Sequence, residues 1–294
     1  MSRPSFLGPP SPSIPHTFQR LDPRPRCYGV IAGGAAHVKT LAGAAYALDK
    51  HAFVQGWAGT SAGALTAAAM AFSLPESDMQ KILTDMLQRN RILDFSPFAW
   101  SRYGLCKWEA LRDVVRKTWG ERTMMGEANS ALAVVVTDIY TRQPRVFSSW
   151  ATPKVRLDEV LPATAAIPFL AAAQTIPSAD TGNRLYCDGG VADNFALDIF
   201  ADKPEKTVGL CLQGQVDGEV RPVRGLRDFV VAVAESALWE SADLAARNDE
   251  RVIPLKTSDS GFDFDQTPEQ IRHGIESGRK QVAEALRGAA TLMT

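Results

Sequence analysis

Apolar residues fall into short unbroken runs that alternate with longer stretches of helical spacing. Residues 27–32 read as a buried strand that stops at Gly33-Gly34, and 38–50 follow with helical spacing. A second strand over 53–57 leads into a small-residue helix from 62 to about 72. Leu74-Pro75-Glu76-Ser77-Asp78 breaks that helix, and another runs over 78–90. Residues 91–107 are irregular and aromatic, and 108–119 return to helical spacing. Residues 131–136 are apolar and β-branched at their centre, the mark of a deeply buried strand. A hairpin over 139–147 is expected to turn at Arg142-Gln143-Pro144. A helix over 157–165 ends at Ile167-Pro168, and strands follow at 185–187 and 207–212. Long helices at 224–246 and 268–292 close the chain, with a short strand at 251–255 between them. Strand alternating with helix predicts a layered α/β domain with a mainly parallel sheet.

Composition narrows the picture only slightly. The chain has 294 residues, 45% hydrophobic and 22% charged, which suits one soluble α/β domain over 27–294. Its net charge of −1 gives no global field to recruit nucleic acid or anionic membrane, which leaves only local basic patches, and no nucleic acid is expected as a partner. Residues 1–26 hold seven prolines and no apolar core run, and read as a flexible arm rather than a signal peptide. The arm's Arg3, Arg20, Arg24 and Arg26 offer an alternative role in touching lipid headgroups or a partner. No apolar run approaches the ~20 residues of a membrane helix. Cys27, Cys106, Cys187 and Cys211 show no metal or redox spacing and read as reduced. The expected location is therefore cytoplasmic, with specialised export left open.

Candidate chemistry begins at Gly59-Thr60-Ser61-Ala62-Gly63. It lies between a strand and a helix, as a nucleophile elbow does. Such a turn exposes the serine hydroxyl at a helix N-terminus, where free N–H groups favour negative charge. Upstream, Gly33, Gly34 and Ala35 lie in a strand-to-helix turn able to present consecutive backbone N–H groups to an oxyanion. Downstream, Asp188-Gly189-Gly190 follows a strand. Its glycines would let the strand end lie against a neighbour without side-chain obstruction. Ala166-Ile167-Pro168 could pack beside them.

In this order and rough spacing, the motifs resemble those of the patatin-like phospholipases, over about residues 27–212. Thr137-Asp138-Ile139-Tyr140-Thr141 and Val191-Ala192-Asp193-Asn194-Phe195 are similar to the same family. The resemblance implies a three-layer α/β sandwich and a lipid acyl hydrolase with no metal or other cofactor. It implies Ser61 as nucleophile and Asp188 as its base. Gly33, Gly34 and Ala35 would form the oxyanion hole, with Gly59, Gly63, His37, Gly189 and Gly190 in support. The substrate would be a phospholipid or lysophospholipid met in transient contact with a membrane surface. An activator or a second copy is left open. The sequence departs from the family pattern in one loop: Ala35 stands where a third glycine is usual, His37 where Arg or Lys is usual, and Val38 where the last glycine is usual. A positive φ at Ala35 would cost on the order of 1 kcal/mol. His37→Arg is expected to preserve or raise activity.

Two rival readings use the same residues. Gly33 to Thr40 is one residue from a P-loop, with Val38 blocking the close approach of phosphate. Ser61, Asp188 and His273 have the chain order of a Ser-Asp-His hydrolase, though a single strand precedes the elbow strand. A catalytically idle relative that keeps the fold is the third possibility. For Phe95, Phe98, Trp100, Tyr103 and Trp108, packing over the sheet edge is the simpler expectation and a lid or bilayer contact the alternative. The helix over 224–246 is expected in the core, with an acyl tunnel as its alternative.

Overall fold

The computed structural model describes residues 24–88, 91–178, 182–203, 207–213, 249–257, 261 and 263–292, with isolated positions between 223 and 236. Ten strands are seen among them: β1 (Arg26–Ile31), β2 (Phe53–Thr60), β3 (Gly104–Cys106), β4 (Ala131–Asp138), β5 (Gln143–Ser148), β6 (Phe169–Ala171), β7 (Gln174–Ser178), β8 (Gly182–Asp188), β9 (Thr207–Gln213) and β10 (Val252–Lys256). The helices are α1 (Val38–His51), α2 (Ala62–Ala71), α3 (Glu76–Leu87), α4 (Glu109–Trp119), α5 (Leu157–Thr164), α6 (Gly190–Asp193) and α7 (Pro268–Leu292). The main sheet has the order β10-β9-β1-β2-β4-β8-β7, with β5 also on β4. Strands β10, β9, β1, β2 and β4 run parallel, and β5, β7 and β8 are antiparallel to their neighbours.

Strand alternation sets the two faces. Cys27 and Ile31 of β1, with Leu132, Val134 and Val136 of β4, point into the larger core under α1, α2, α4, α5 and α7. Tyr28, Val30, Ala58 and Ala133 point the other way, onto Phe195, Leu197 and Phe200. Helix α2 is buried along its whole length. Its alanines and glycine let it sit against the sheet where a helix with large side chains would stand off.

One pairing detail positions the site. Strand β5 takes one edge of β4 over Ala133–Asp138, so the other edge is shared. Strand β2 runs parallel along it and ends with Thr60 opposite Val135. Strand β8 comes from the opposite direction and ends with Asp188 opposite Val136. Two strands thus meet C-terminus to C-terminus on adjacent rungs of one neighbour.

The structure differs from the sequence reading in four places. The hairpin turns at 139–142, held by the Asp138 carboxylate, which accepts from Tyr140 N and Thr141 N. Pro144 lies inside β5, which pairs with β4 alone, and an edge strand tolerates the missing N–H. Residues 91–107 contain β3, which pairs with β6 as a separate two-stranded ladder, and β7 is likewise additional. Arg24 to Arg26 join the domain rather than the arm: Arg24 donates to the Asp49 carbonyl and Pro25 accepts from Phe53 N. The rest of the arm and most of the 224–246 helix lie outside the described residues. No helix among the described residues is long and apolar enough to cross a membrane.

Candidate active site

The elbow at the end of β2 is sterically tight. A Cβ on Gly59 would fall 2.4 Å from Gly63 carbonyl atoms, and a Cβ on Gly63 2.4 Å from the carbonyl oxygens of Ile31 and Ala32. Both positions therefore require glycine. Between them Ser61 adopts φ 52, ψ −122, a strained conformation for a residue with a side chain. Thr164 anchors it, accepting from Ser61 N at 2.9 Å while donating to the Val135 carbonyl. Ala64 N and Leu65 N close back onto the Ser61 carbonyl and start α2.

The meeting of β2 and β8 brings Ser61 Oγ to 2.8 Å from Asp188 Oδ2, and the hydroxyl donates to the carboxylate. Gly190 N donates to Asp188 Oδ1 at 2.8 Å. Thr137 donates to the Asp188 carbonyl, and Asp188 N to the Ala166 carbonyl, so the strand end is fixed from both sides. Gly189 permits the approach: a Cβ there would lie 2.2 Å from the Val135 carbonyl. Asp188 is fully buried, and burial pushes its pKa up to about 7 against the opposing hydrogen bonds from Gly190 and Ser61. No cation is among these partners.

The glycine-rich loop after β1 differs in part from the sequence expectation. Gly33 donates its N–H to the Asn194 carbonyl at 3.0 Å, because the segment after Asp188 folds back against it. That leaves Gly34 and Ala35, whose N–H groups have no hydrogen bond recorded among the described residues. Ala35 does take the positive φ, at 45°. His37 is 1% exposed, with Nε2 3.5 Å from Thr257 Oγ1, and is not among the residues walling the Ser61 pocket. An arginine there has a longer side chain to fit into a buried site, which weighs against the expectation that His37→Arg preserves activity. Lys39 of the P-loop rival is buried and donates to Gln266 Oε1 at 2.6 Å, away from any phosphate cradle. His273 is exposed on α7, whereas Ser61 contacts Asp188 directly.

A pocket of about 30 Å³ opens beside Ser61, walled by Ala35, Val38, Leu65, Met86, Leu87, Ile92, Trp108, Leu111, Ile167 and Phe264, among others. Ile167 therefore lines the site, as its segment was expected to. Sequence reasoning missed Thr137, Thr164, Asn194 and Phe264, and named Trp108 only as one of an aromatic group. The resemblance had pointed at the segments holding Thr137 and Asn194 without giving either a task. Nothing local marks the others, which reach the site through long-range register. Phe95, Phe98, Trp100 and Tyr103 are exposed rather than packed, and Trp108 alone of that group is buried.

Comparison with known proteins gives three findings. A family model described as patatin-like phospholipase matches residues 29–201. The uncharacterized protein R571 of Acanthamoeba polyphaga mimivirus is 22% identical over 246 residues, covering 78% of this chain and 81% of that protein. Among solved structures, VipD from Legionella pneumophila is similar over 90% of this chain and 67% of its own, with TM-score 0.53 and 17% identity. The likeness to VipD is one of fold. The type III effector ExoU matches over 90% of this chain and 53% of its own, with TM-score 0.47 and 14% identity.

Proposed function

The chain belongs to the patatin-like phospholipase family, a family of lipid acyl hydrolases, and we propose that it cleaves carboxylic esters of glycerophospholipids or lysophospholipids with Ser61 as nucleophile and Asp188 as base. The observation that carries this reading is the 2.8 Å hydrogen bond from Ser61 Oγ to a buried carboxylate with no cation beside it among the described residues.

In the proposed reaction Ser61 Oγ bonds to the ester carbonyl carbon as its proton passes to Asp188 Oδ2. The carbonyl π pair moves onto oxygen, facing Gly34 N–H, Ala35 N–H and the start of α2. One such donor is typically worth ~3 kcal/mol of barrier. Collapse breaks the carbon–oxygen bond to the glycerol, which leaves with the proton from Asp188. Water then gives a proton to Asp188 and attacks the acyl-serine, and collapse breaks the acyl carbon–Oγ bond, so that Ser61 Oγ takes the proton back from Asp188 and the fatty acid leaves. A free aspartate is a weak base, and a pKa raised to about 7 matches it better to this task.

The apolar pocket walls suit an acyl chain, but about 30 Å³ holds little more than one water. Lipid pockets are typically several hundred Å³, so the walls must part for substrate to enter.

Turnover of a fluorogenic acyl ester and of phospholipid by the full chain tests this function. Ser61→Ala should abolish both and His273→Ala should leave both intact. Loss of activity in His273→Ala would point to a Ser-Asp-His triad instead. Wild-type inactivity on every lipid presentation would favour an idle relative.

A further inference from the structure

The segment between α3 and α4 folds with β6 into a small module beside the pocket. Phe95 bridges Cys106, β3 pairs with β6, and Ala173 N donates to the Arg102 carbonyl. Eight aromatic side chains stand strongly exposed among the described residues, and five of them are here: Phe95, Phe98, Trp100, Tyr103 and Phe169, at 54% to 79% exposure. Large exposed aromatic side chains gathered on one small module mark an interaction surface.

The backbone supports the same conclusion independently. Tyr103 and Phe169 hold φ of 66° and 67°, where glycine or asparagine would sit more cheaply. These two positions, one before β3 and one at the start of β6, thus carry strain on the order of 1 kcal/mol per residue while keeping exposed aromatic rings. Charge points to the partner. No Asp or Glu occurs between residues 95 and 108, while Arg102 and Lys107 are exposed. Aromatic rings mixed with cations suit the headgroup level of a bilayer, where rings sit at the interface and cations meet phosphates. The module is also continuous with the site. Ile92 and Trp108 bracket the segment and Ile167 stands two residues before Phe169, and all three wall the Ser61 pocket.

We propose that this module is a docking surface for a lipid bilayer, which seats the Ser61 pocket against the membrane holding its substrate. The proposal rests on the lipid hydrolase reading only for its purpose, since docking is measurable without turnover.

The test is flotation of the full chain, carrying Ser61→Ala so that no lipid is consumed. The vesicles contain equal parts phosphatidylcholine and phosphatidylglycerol. The Ser61→Ala chain should bind, and adding Phe98→Ser with Trp100→Ser should weaken binding by about tenfold or more. With Ser61 intact, the double variant should hydrolyse a water-soluble short-chain ester at the wild-type rate and vesicle phospholipid about tenfold more slowly. Undiminished binding by the double variant overturns the proposal, as does no binding by the Ser61→Ala chain. A concentration-dependent dimer lost in the double variant, with no vesicle binding, assigns the patch to a second copy and also overturns it. Absence of all ester turnover sinks the hydrolase reading, while flotation still decides the surface.

Discussion

Two buried carboxylates sit two rungs apart in the β4–β8 ladder, Asp188 opposite Val136 and Asp138 opposite Tyr186. Burial pushes both upward in pKa, and they end on opposite sides of the ordinary value. At Asp138 burial is outweighed by Arg184, whose guanidinium bonds Oδ2 at 2.9 Å, and by the Thr141 and Tyr140 N–H groups. At Asp188 neutral donors from Gly190 and Ser61 do not offset burial, and the pKa stands at about 7. Asp158 repeats the first pattern: Arg156 and Arg116 overcome its burial and hold it below the usual carboxylate range. Burial alone therefore does not make a carboxylate a base. A cation holds it ionised as a structural fixture, and without one its proton affinity stays high, as the base role proposed for Asp188 requires.

The largest expected effect comes from removing that proton affinity. Asp188→Asn should lower ester hydrolysis by about 10³–10⁴-fold or more, because Ser61 loses its acceptor. The same change should stabilise the fold at pH 8. The folded chain holds the Asp188 proton more tightly than the unfolded one. Its contribution to stability is complete below about pH 4 and is lost as pH rises through about 7. Asn removes that loss, which amounts to up to roughly 4 kcal/mol. A lower melting temperature for Asp188→Asn at pH 8, with activity lost, would mean the carboxylate is a structural fixture after all.

The titration itself comes next. The proposed mechanism requires ionised Asp188, so kcat/KM should fall about tenfold per pH unit below about 7 and level off above it. A flat profile down to pH 5 would place Asp188 with Asp138 instead. Wild-type stability should decline between about pH 4 and 7 relative to Asp188→Asn, whereas Asp138 and Asp158 should lose their stabilising contributions at lower pH.

Much of the Ser61–Asp188 site, though not the contrast between the carboxylates, was legible in the sequence, for reasons that are steric. An elbow that cannot accept a Cβ at residues 59 or 63 must show glycine there, and a strand end lying on β4 must show Gly189. Ser61 and Asp188 were therefore marked by their neighbours. The fold was legible where an apolar run was unbroken, as in β1 and β4, or where helical spacing was sustained, as in α7. Short elements were not: β6 has three residues, and β3 hides among aromatics. The tasks of Thr164 and Thr137 depend on register between segments 29 and 51 residues away, which leaves no local trace. Nor does the sequence reveal which two of the three aspartates are paired with arginines.

Asp158→Asn tests the opposite arm of the comparison. It leaves Arg116 and Arg156 without their shared acceptor, at a cost of about 2–3 kcal/mol. That is below the figure for fully buried pairs because both arginines are about a third exposed. Chemical denaturation should read this loss, while activity per folded molecule stays near wild type. A fall in kcat/KM matching that of Asp188→Asn would mean that Asp158 too serves the chemistry.

The smallest change asks whether the cation alone separates the two ends of the ladder. Arg184→Met keeps the Tyr140 and Thr141 N–H bonds to Asp138 and removes the guanidinium. Arg184 is 30% exposed, so the stability loss should be only about 1 kcal/mol. Activity should not move, because Asp138 has no serine beside it. Its carboxyl should nevertheless titrate at higher pH than in the wild type, because burial then works against two neutral donors alone, as it does at Asp188. Carboxyl-resolved NMR titration reads that shift. An unchanged Asp138 would show that the turn N–H groups hold it down by themselves. The contrast would then lie in the number and placement of neutral donors, two N–H groups on one oxygen against one N–H and a hydroxyl split across two, rather than in the cation.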